Sequence, residues 1–283
     1  VAREWCDTPS DIHEGVTLDE YLKSRNIVGI CGIDTRRLTR TLRDKGYFNG
    51  AITSSLDDFD NLIRRIKSYS IHGAVEAVTI RKVIEYRNDA HKYNIVIIDY
   101  GFSRTMLKSF IKRGCNLTIV PAKTSPDEIL KYNPDGLIFS DGPGDPDDEP
   151  ILISNINNLI AARIPSLGIG VGYQMLALAT GGRINKMPKG HRGSNQPVRI
   201  CGTDKVMITS QNHGYDVADG SVSENVADVF LRNVNDNSIE GLVYSSFPGI
   251  SIQFTPSDDG NYSDSSWIFD RFIELIKGGE ENE

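Results

Sequence analysis

The stretch Asn94-Ile95-Val96-Ile97-Ile98-Asp99-Tyr100-Gly101 is a continuous apolar run ending in a turn. A strand with one wet face alternates apolar and polar residues. An unbroken run belongs to a strand covered on both faces, the usual condition in a parallel sheet. Downstream follow a helix over Thr105 to Arg113, a strand over Asn116 to Pro121, a helix over 125–131 and a strand over Gly136 to Ser140. A helix over 151–163, a strand over Ser166 to Ile169 and a helix over about 173–180 continue the alternation. This rhythm predicts an α/β fold, a mainly parallel sheet with helices on both faces. Ligands of such sheets bind beyond the carboxyl ends of the strands. The loops after Ser140 and Ile169 are therefore the places to look for chemistry.

Outward from this core the texture changes twice. From about residue 183 the chain is strand-rich, with strands expected at Gln196 to Cys201, Lys205 to Ser210, Val226 to Asn233, Glu240 to Tyr244 and Ile250 to Phe254. A helix over Ser266 to Lys277 and a polar tail close it. On the other side, residues 17–25 read as a short helix, with Thr17 as N-cap and Glu20 completing a capping box. A second helix starts at Asp34 or Thr35, with Leu38 and Leu42 on one face and several Arg residues. Those Arg residues leave two readings open, a phosphate site or a solvated basic face. Residues 56–68 give a third helix, with Phe59, Leu62, Ile63 and Ile66 on one side. The polar stretch 81–93 reads as a linker.

Bulk properties narrow the function classes. With 283 residues, and roughly 150 residues per domain, two domains are expected, or one large domain with an attachment. A net charge of -7 argues against a nucleic-acid surface. No apolar run approaches the ~20 residues of a membrane helix. The segment Val1-Ala2-Arg3-Glu4-Trp5 has no apolar core and does not read as a signal peptide. The absence of Met at position 1 points to a processed product or a fragment. Cys6, Cys31, Cys115 and Cys201 are scattered without a CxxC pair. That spacing suggests reduced cytosolic thiols rather than a disulfide framework or a zinc site, so a cytoplasmic protein is expected.

The first candidate loop is Ser140-Asp141-Gly142-Pro143-Gly144-Asp145-Pro146. Two glycines and two prolines make a rigid turn whose backbone N–H groups can face an anion or an oxyanion. A tight strand-to-loop connection is the alternative reading. The second loop is Gly168-Ile169-Gly170-Val171-Gly172-Tyr173-Gln174, between a strand and a helix. A nucleophile elbow sits at such a corner, presenting one side chain at the helix N-terminus. Here that position is Gly170, which has no side chain to present. The spacing is G-x-G-x-G and no acidic residue follows about 20 positions on, so a dinucleotide turn is not expected.

Several long motifs, in order, make the chain to about residue 279 resemble the small subunit of carbamoyl-phosphate synthetase, a class I glutamine amidotransferase. Thr17 to Arg25 and Gly32-Ile33-Asp34-Thr35-Arg36 are similar to the end of that subunit's N-terminal domain. Ser140 to Pro146 resembles its S-N-G-P-G-D-P loop, with Asp141 in place of Asn. Gly190 to Val198 and Thr209 to Tyr215 resemble family segments almost verbatim, and Phe269 to Ile276 is similar to the family's closing helix. The resemblance implies a flavodoxin-like, mainly parallel amidotransferase domain over 94–279, after a partial small-subunit N-terminal domain (1–80) and the 81–93 linker, with a tail at 280–283. The opening part of the family's N-terminal domain is not matched.

Carried over position by position, the resemblance also implies a loss. The family's elbow G-I-C-L-G-H-Q here reads Gly168 to Gln174, so the nucleophilic Cys has become Gly170. The family's Q-F-H-P-E here reads Gln253-Phe254-Thr255-Pro256-Ser257, so the base His has become Thr255 and its orienting Glu has become Ser257. His213 matches a position that is not the catalytic base, and Cys115 and Cys201 are expected to be small buried hydrophobes. Neither Thr255 nor Ser257 has the adjacent base a hydroxyl nucleophile needs. Loss of the nucleophile from a protease triad costs on the order of a millionfold in turnover. The glutamine-contacting shell persists by resemblance at Gly142, Gly144, Val171, Gln174, Asn212, Gly214 and Tyr215, so glutamine remains a candidate ligand. The size of Tyr173, where the family has His, raises the question of whether it fills the pocket.

The expectation is a small-subunit homologue unable to hydrolyse glutamine, a structural or regulatory partner of a large subunit that uses free ammonia. Two alternatives stand beside it: a glutamine sensor or repurposed pseudoenzyme without that partner, and a conventional glutaminase subunit supplying ammonia for pyrimidine and arginine synthesis. No cofactor, metal, membrane or nucleic acid is expected on this chain.

Overall fold

The structure, a computed structural model, describes residues 1–8, 15–87, 91–258 and 264–280. Parts of the expected linker (88–90) and tail (281–283) lie outside the described residues. The chain divides into two compact units, Val1–Ser70 and Ile71–Glu283.

The first unit holds helices α1 (Leu18–Ser24), α2 (Thr35–Lys45) and α3 (Phe59–Ser68). The Thr17 hydroxyl accepts from the Glu20 N–H while the Glu20 carboxylate accepts from the Thr17 N–H, which completes the expected capping box. At α2 the Asp34 carboxylate accepts from the Arg37 N–H. The Asn49 amide donates to the carbonyls of Ile66 and Tyr69 and stops α3.

The second unit is built on the parallel strands β2 (Tyr93–Asp99), β3 (Cys115–Pro121), β4 (Gly136–Phe139), β5 (Ser166–Ile169) and β10 (Gly249–Ile252). Their order in space is β3-β2-β4-β5-β10, all parallel. That is the flavodoxin-like order, with the earliest strand second from the edge. Residues 84–86, inside the stretch read as a linker, form strand β1 (Ile84–Tyr86), antiparallel to β3. Helices α5 (Arg104–Lys112), α6 (Pro126–Leu130), α7 (Pro150–Ala161), α8 (Val171–Ala179) and α9 (Trp267–Glu280) cover the sheet, and a short α4 (Ala74–Val78) precedes it. Two apolar layers result. Val96, Ile98 and Phe139 pack with α7 and α8, whereas Ile95, Ile97 and Ile138 pack with Phe110 and the α9 residues Phe269 and Phe272. This is why the run at 94–98 carries no polar alternation.

The strand-rich part is more continuous than its sequence suggests. Strand β6 spans Ile184–Ile200 and pairs with β7 (Val206–Val217) through two register shifts. Strands β8 (Ala227–Asn233) and β9 (Ile239–Tyr244) complete it: β6 pairs with β8, β8 with β9, and β9 with both β7 and β10. Cys115 is fully buried, as expected, whereas Cys201 is half-buried. No helix of the described residues is long and apolar enough to cross a membrane.

Candidate functional site

Three loops meet at the carboxyl ends of β4, β5 and β10. Gly170 is the N-cap of α8, at φ 54 and ψ -113. Its N–H donates to the Ile252 carbonyl, which ties the corner to β10. Two residues on, the Gly172 N–H donates to the Ser140 carbonyl. A Cβ at Gly172 would lie 2.0 Å from the Phe139 carbonyl oxygen, so only glycine lets α8 begin this close to β4. The corner thus keeps a sharp strand-to-helix turn, in a backbone conformation that glycine adopts freely and a residue with a Cβ does not.

The space in front of Gly170 is filled by Asp141. A Cβ at Gly170 would stand 2.0 Å from Asp141 Oδ1 and 2.5 Å from its Cγ. Oδ1 accepts from the Gly142 N–H at 2.7 Å and, at a longer 3.4 Å, from the Val171 N–H at the start of α8. Oδ2 accepts from the Thr255 hydroxyl at 3.1 Å. Two backbone donors converging on one oxygen have the arrangement of an oxyanion hole. Here the oxygen they hold belongs to the protein. Burial raises the Asp141 pKa, against the hydrogen bonds from Gly142, Val171 and Thr255, which favour the anion. Among the described residues no Lys, Arg or His forms an ion pair with it.

The structure thus brings together Gly142, Gly170, Val171 and Thr255. Ser257 is elsewhere in the hydrogen-bond pattern: its N–H donates to the Ser265 hydroxyl. Gln174 is 3% exposed, and its amide donates to the Tyr215 carbonyl and to Gln253 Oε1. Asn212 is exposed on β7 and Gly214 lies against the Arg192 guanidinium, while Gly144 sits in an exposed turn at φ 105. Tyr173 does not fill the pocket. Its ring is fully buried in the core between α8 and β9, where its hydroxyl donates to the Ile239 carbonyl and burial pushes its pKa far up. The residue that reading the sequence left without a role is Asp141. Its one signal was the carboxylate standing where the family loop has Asn.

A second polar cluster lies in the β6–β9 region. The His191 ring faces Asp236 at 2.9 Å and Glu240 at 3.2 Å. Burial opposes its charge, but the two carboxylates outweigh that and raise its pKa to about 9. His213 bonds to the Tyr215 carbonyl and to Gln211, and burial lowers its pKa. His191, His213 and Glu240 offer atoms within 4.8 Å of one another. Each inward atom already has a protein partner, however, since Gln211 and Asn233 donate to the two Glu240 oxygens. The group is a closed network tying four strands together.

Residues 96–275 match the family described as glutamine amidotransferase class-I, and residues 1–52 match the carbamoyl-phosphate synthase small chain, CPSase domain. The chain is 38% identical over 281 residues to the carbamoyl phosphate synthase pyrimidine-specific small chain of Bacillus subtilis (strain 168), covering 99% of this chain and 76% of that protein. It is 37% identical over 284 residues to the carbamoyl phosphate synthase small chain of Listeria monocytogenes serotype 4b (strain F2365), covering 100% and 77%. Among solved structures, a putative GMP synthase protein from Thermoplasma acidophilum superposes with a TM-score of 0.59 at 22% identity, covering 68% of this chain and 97% of that one. That likeness concerns the fold alone.

Proposed function

The chain belongs to the carbamoyl-phosphate synthase small-chain family, a branch of the class I glutamine amidotransferases, and from that premise we propose that it is a member that does not hydrolyse glutamine. One observation carries the reading: the nucleophile position is Gly170, and Asp141 occupies the volume in front of it. Glutamine hydrolysis in this fold needs a thiolate to attack the amide, an imidazole to shuttle the proton and two N–H groups for the oxyanion. Gly170 supplies no thiol, Thr255 supplies no imidazole, and the N–H groups of Gly142 and Val171 already hold Asp141 Oδ1. Contrary to the sequence expectation, Thr255 has a carboxylate beside it, but Asp141 is itself held by the Gly142 and Val171 N–H groups, and among the described residues no imidazole bonds to the pair to pass a proton to a leaving amine, so the hydroxyl does not replace the missing thiol and imidazole.

The role that remains is as structural or regulatory partner of a large chain that makes carbamoyl phosphate from ammonia, bicarbonate and ATP in the cytoplasm, for pyrimidine or arginine synthesis. Binding to the folded large chain stabilises it by mass action, without any chemistry in the small chain. The test is to combine the purified chain with a carbamoyl-phosphate synthase large chain and compare glutamine- with ammonia-dependent synthesis. Complex formation with ammonia-dependent synthesis only is the expected result. Glutamine-dependent synthesis well above background refutes the reading, as does failure of the two chains to associate.

A further inference from the structure

We propose that Asp141 determines what this cleft accepts: its carboxylate is a resident occupant of the acyl-oxygen position, so the cleft excludes carboxamide and carboxylate ligands such as glutamine until Asp141 is displaced. This inference rests on the reading of the site given above and adds to it a statement about binding, not turnover.

Three contacts fix the occupant. Oδ1 takes both the Gly142 and the Val171 N–H groups, the pair that would otherwise receive the oxygen of an acyl ligand. Oδ2 takes the Thr255 hydroxyl, which holds the carboxylate plane from the β10 side. The third contact is permissive. Because Gly170 has no Cβ, Oδ1 can lie 2.0 Å from the point that a Cβ would take. Any residue larger than glycine at 170 would evict the carboxylate. The three departures at 141, 170 and 255 are therefore parts of one arrangement: a side chain removed, a carboxylate moved into its space, and a hydroxyl supplied to bind it.

The chemistry excludes acyl ligands for two reasons. An incoming carbonyl oxygen needs the same two N–H donors that Oδ1 already holds, and approach of an electron-rich oxygen to a carboxylate with no donor between them is repulsive. The resident oxygen is also covalently positioned, whereas a free ligand loses translational and rotational freedom on binding. Gln174 contributes to the closure, because its amide N–H groups already serve the Tyr215 carbonyl and Gln253.

The test titrates L-glutamine into the wild-type chain, Asp141→Ala and Gly170→Ala by calorimetry over the millimolar range, with ammonia release followed in parallel and folding checked by circular dichroism. Asp141→Ala deletes the occupant, and Gly170→Ala evicts it from the other side. No saturable binding by the wild type, with at least tenfold tighter binding in whichever variants are folded, is the expected result. Equal binding by wild type and Asp141→Ala overturns the inference, and so does a folded Asp141→Ala that binds no glutamine. Ammonia release by the wild type instead refutes the underlying reading of the site, and is a separate readout.

Discussion

Restoring the thiol alone, by Gly170→Cys, is expected to damage this protein rather than revive it. The new Cβ lies 2.0 Å from Asp141 Oδ1, far inside the ~3.5–4.0 Å of an ordinary non-bonded contact. Asp141 must leave, giving up its hydrogen bonds from Gly142, Val171 and Thr255. At roughly 1 kcal/mol each, these amount to about 3 kcal/mol. Holding a residue with a Cβ at φ 54 costs about 1–2 kcal/mol more. The sum is about 4–5 kcal/mol. At roughly 2–4 °C per kcal/mol for a unit of this size, the melting temperature falls by about 8–20 °C. Scanning calorimetry of the second unit's transition measures it. In Asp141→Ala/Gly170→Cys the evicted carboxylate is absent, and only the backbone term of about 1–2 kcal/mol separates it from Asp141→Ala. A Gly170→Cys protein that melts with the wild type refutes the packing argument. So does a double variant whose penalty, relative to Asp141→Ala, equals that of the single one.

Three further outcomes test the fold around the site. Gly172→Ala places a Cβ 2.0 Å from the Phe139 carbonyl, a backbone atom that cannot rotate away, and should cost roughly 4 kcal/mol in denaturant titrations. Arg113→Ala removes ion pairs to Asp258 and Asp270 and a guanidinium 5.1 Å from the Phe269 ring, which should destabilise by about 2–3 kcal/mol, with Arg113→Lys recovering only part. For His191, the folded pKa of about 9 lies above the ordinary 6.5. Its stabilising contribution is therefore complete below about pH 6.5 and is lost as pH rises through about 9. Stability measured across that window should fall in the wild type, and this component should vanish in His191→Gln, which also leaves Glu240 without its cation at a cost of about 3 kcal/mol.

How far the sequence could be read depended on the range of the interactions. The apolar run at 94–98 disclosed a doubly covered strand because burial on two faces writes itself into adjacent residues. The Thr17–Glu20 box was legible for the same reason, since its partners are three residues apart. Strand β6 was foreseen only over its last residues, because Pro188, Gly190 and Gly193 are of residue types that interrupt strands, yet pairing with β7 through two register shifts overrides them. Strand β1 looked like a linker because all three of its residues are exposed at the edge of the sheet. At the site, the missing side chain at Gly170 could be read directly from the elbow. The occupant could not, because Asp141 reaches Val171 and Thr255 across 30 and 114 positions of chain. The direction of Tyr173 stayed open for a related reason: it is set by the core of α8 and β9, which no local pattern displays.

The decisive assay is release of ammonia from L-glutamine by the purified chain, alone and with a large chain present, run beside a glutamine amidotransferase of demonstrated activity as control. With no thiol at position 170 and no imidazole at position 255, glutamine hydrolysis is expected to be absent, the rate indistinguishable from buffer while the control turns over. Sustained ammonia release at a rate comparable to the control, unaffected by further purification, would contradict it.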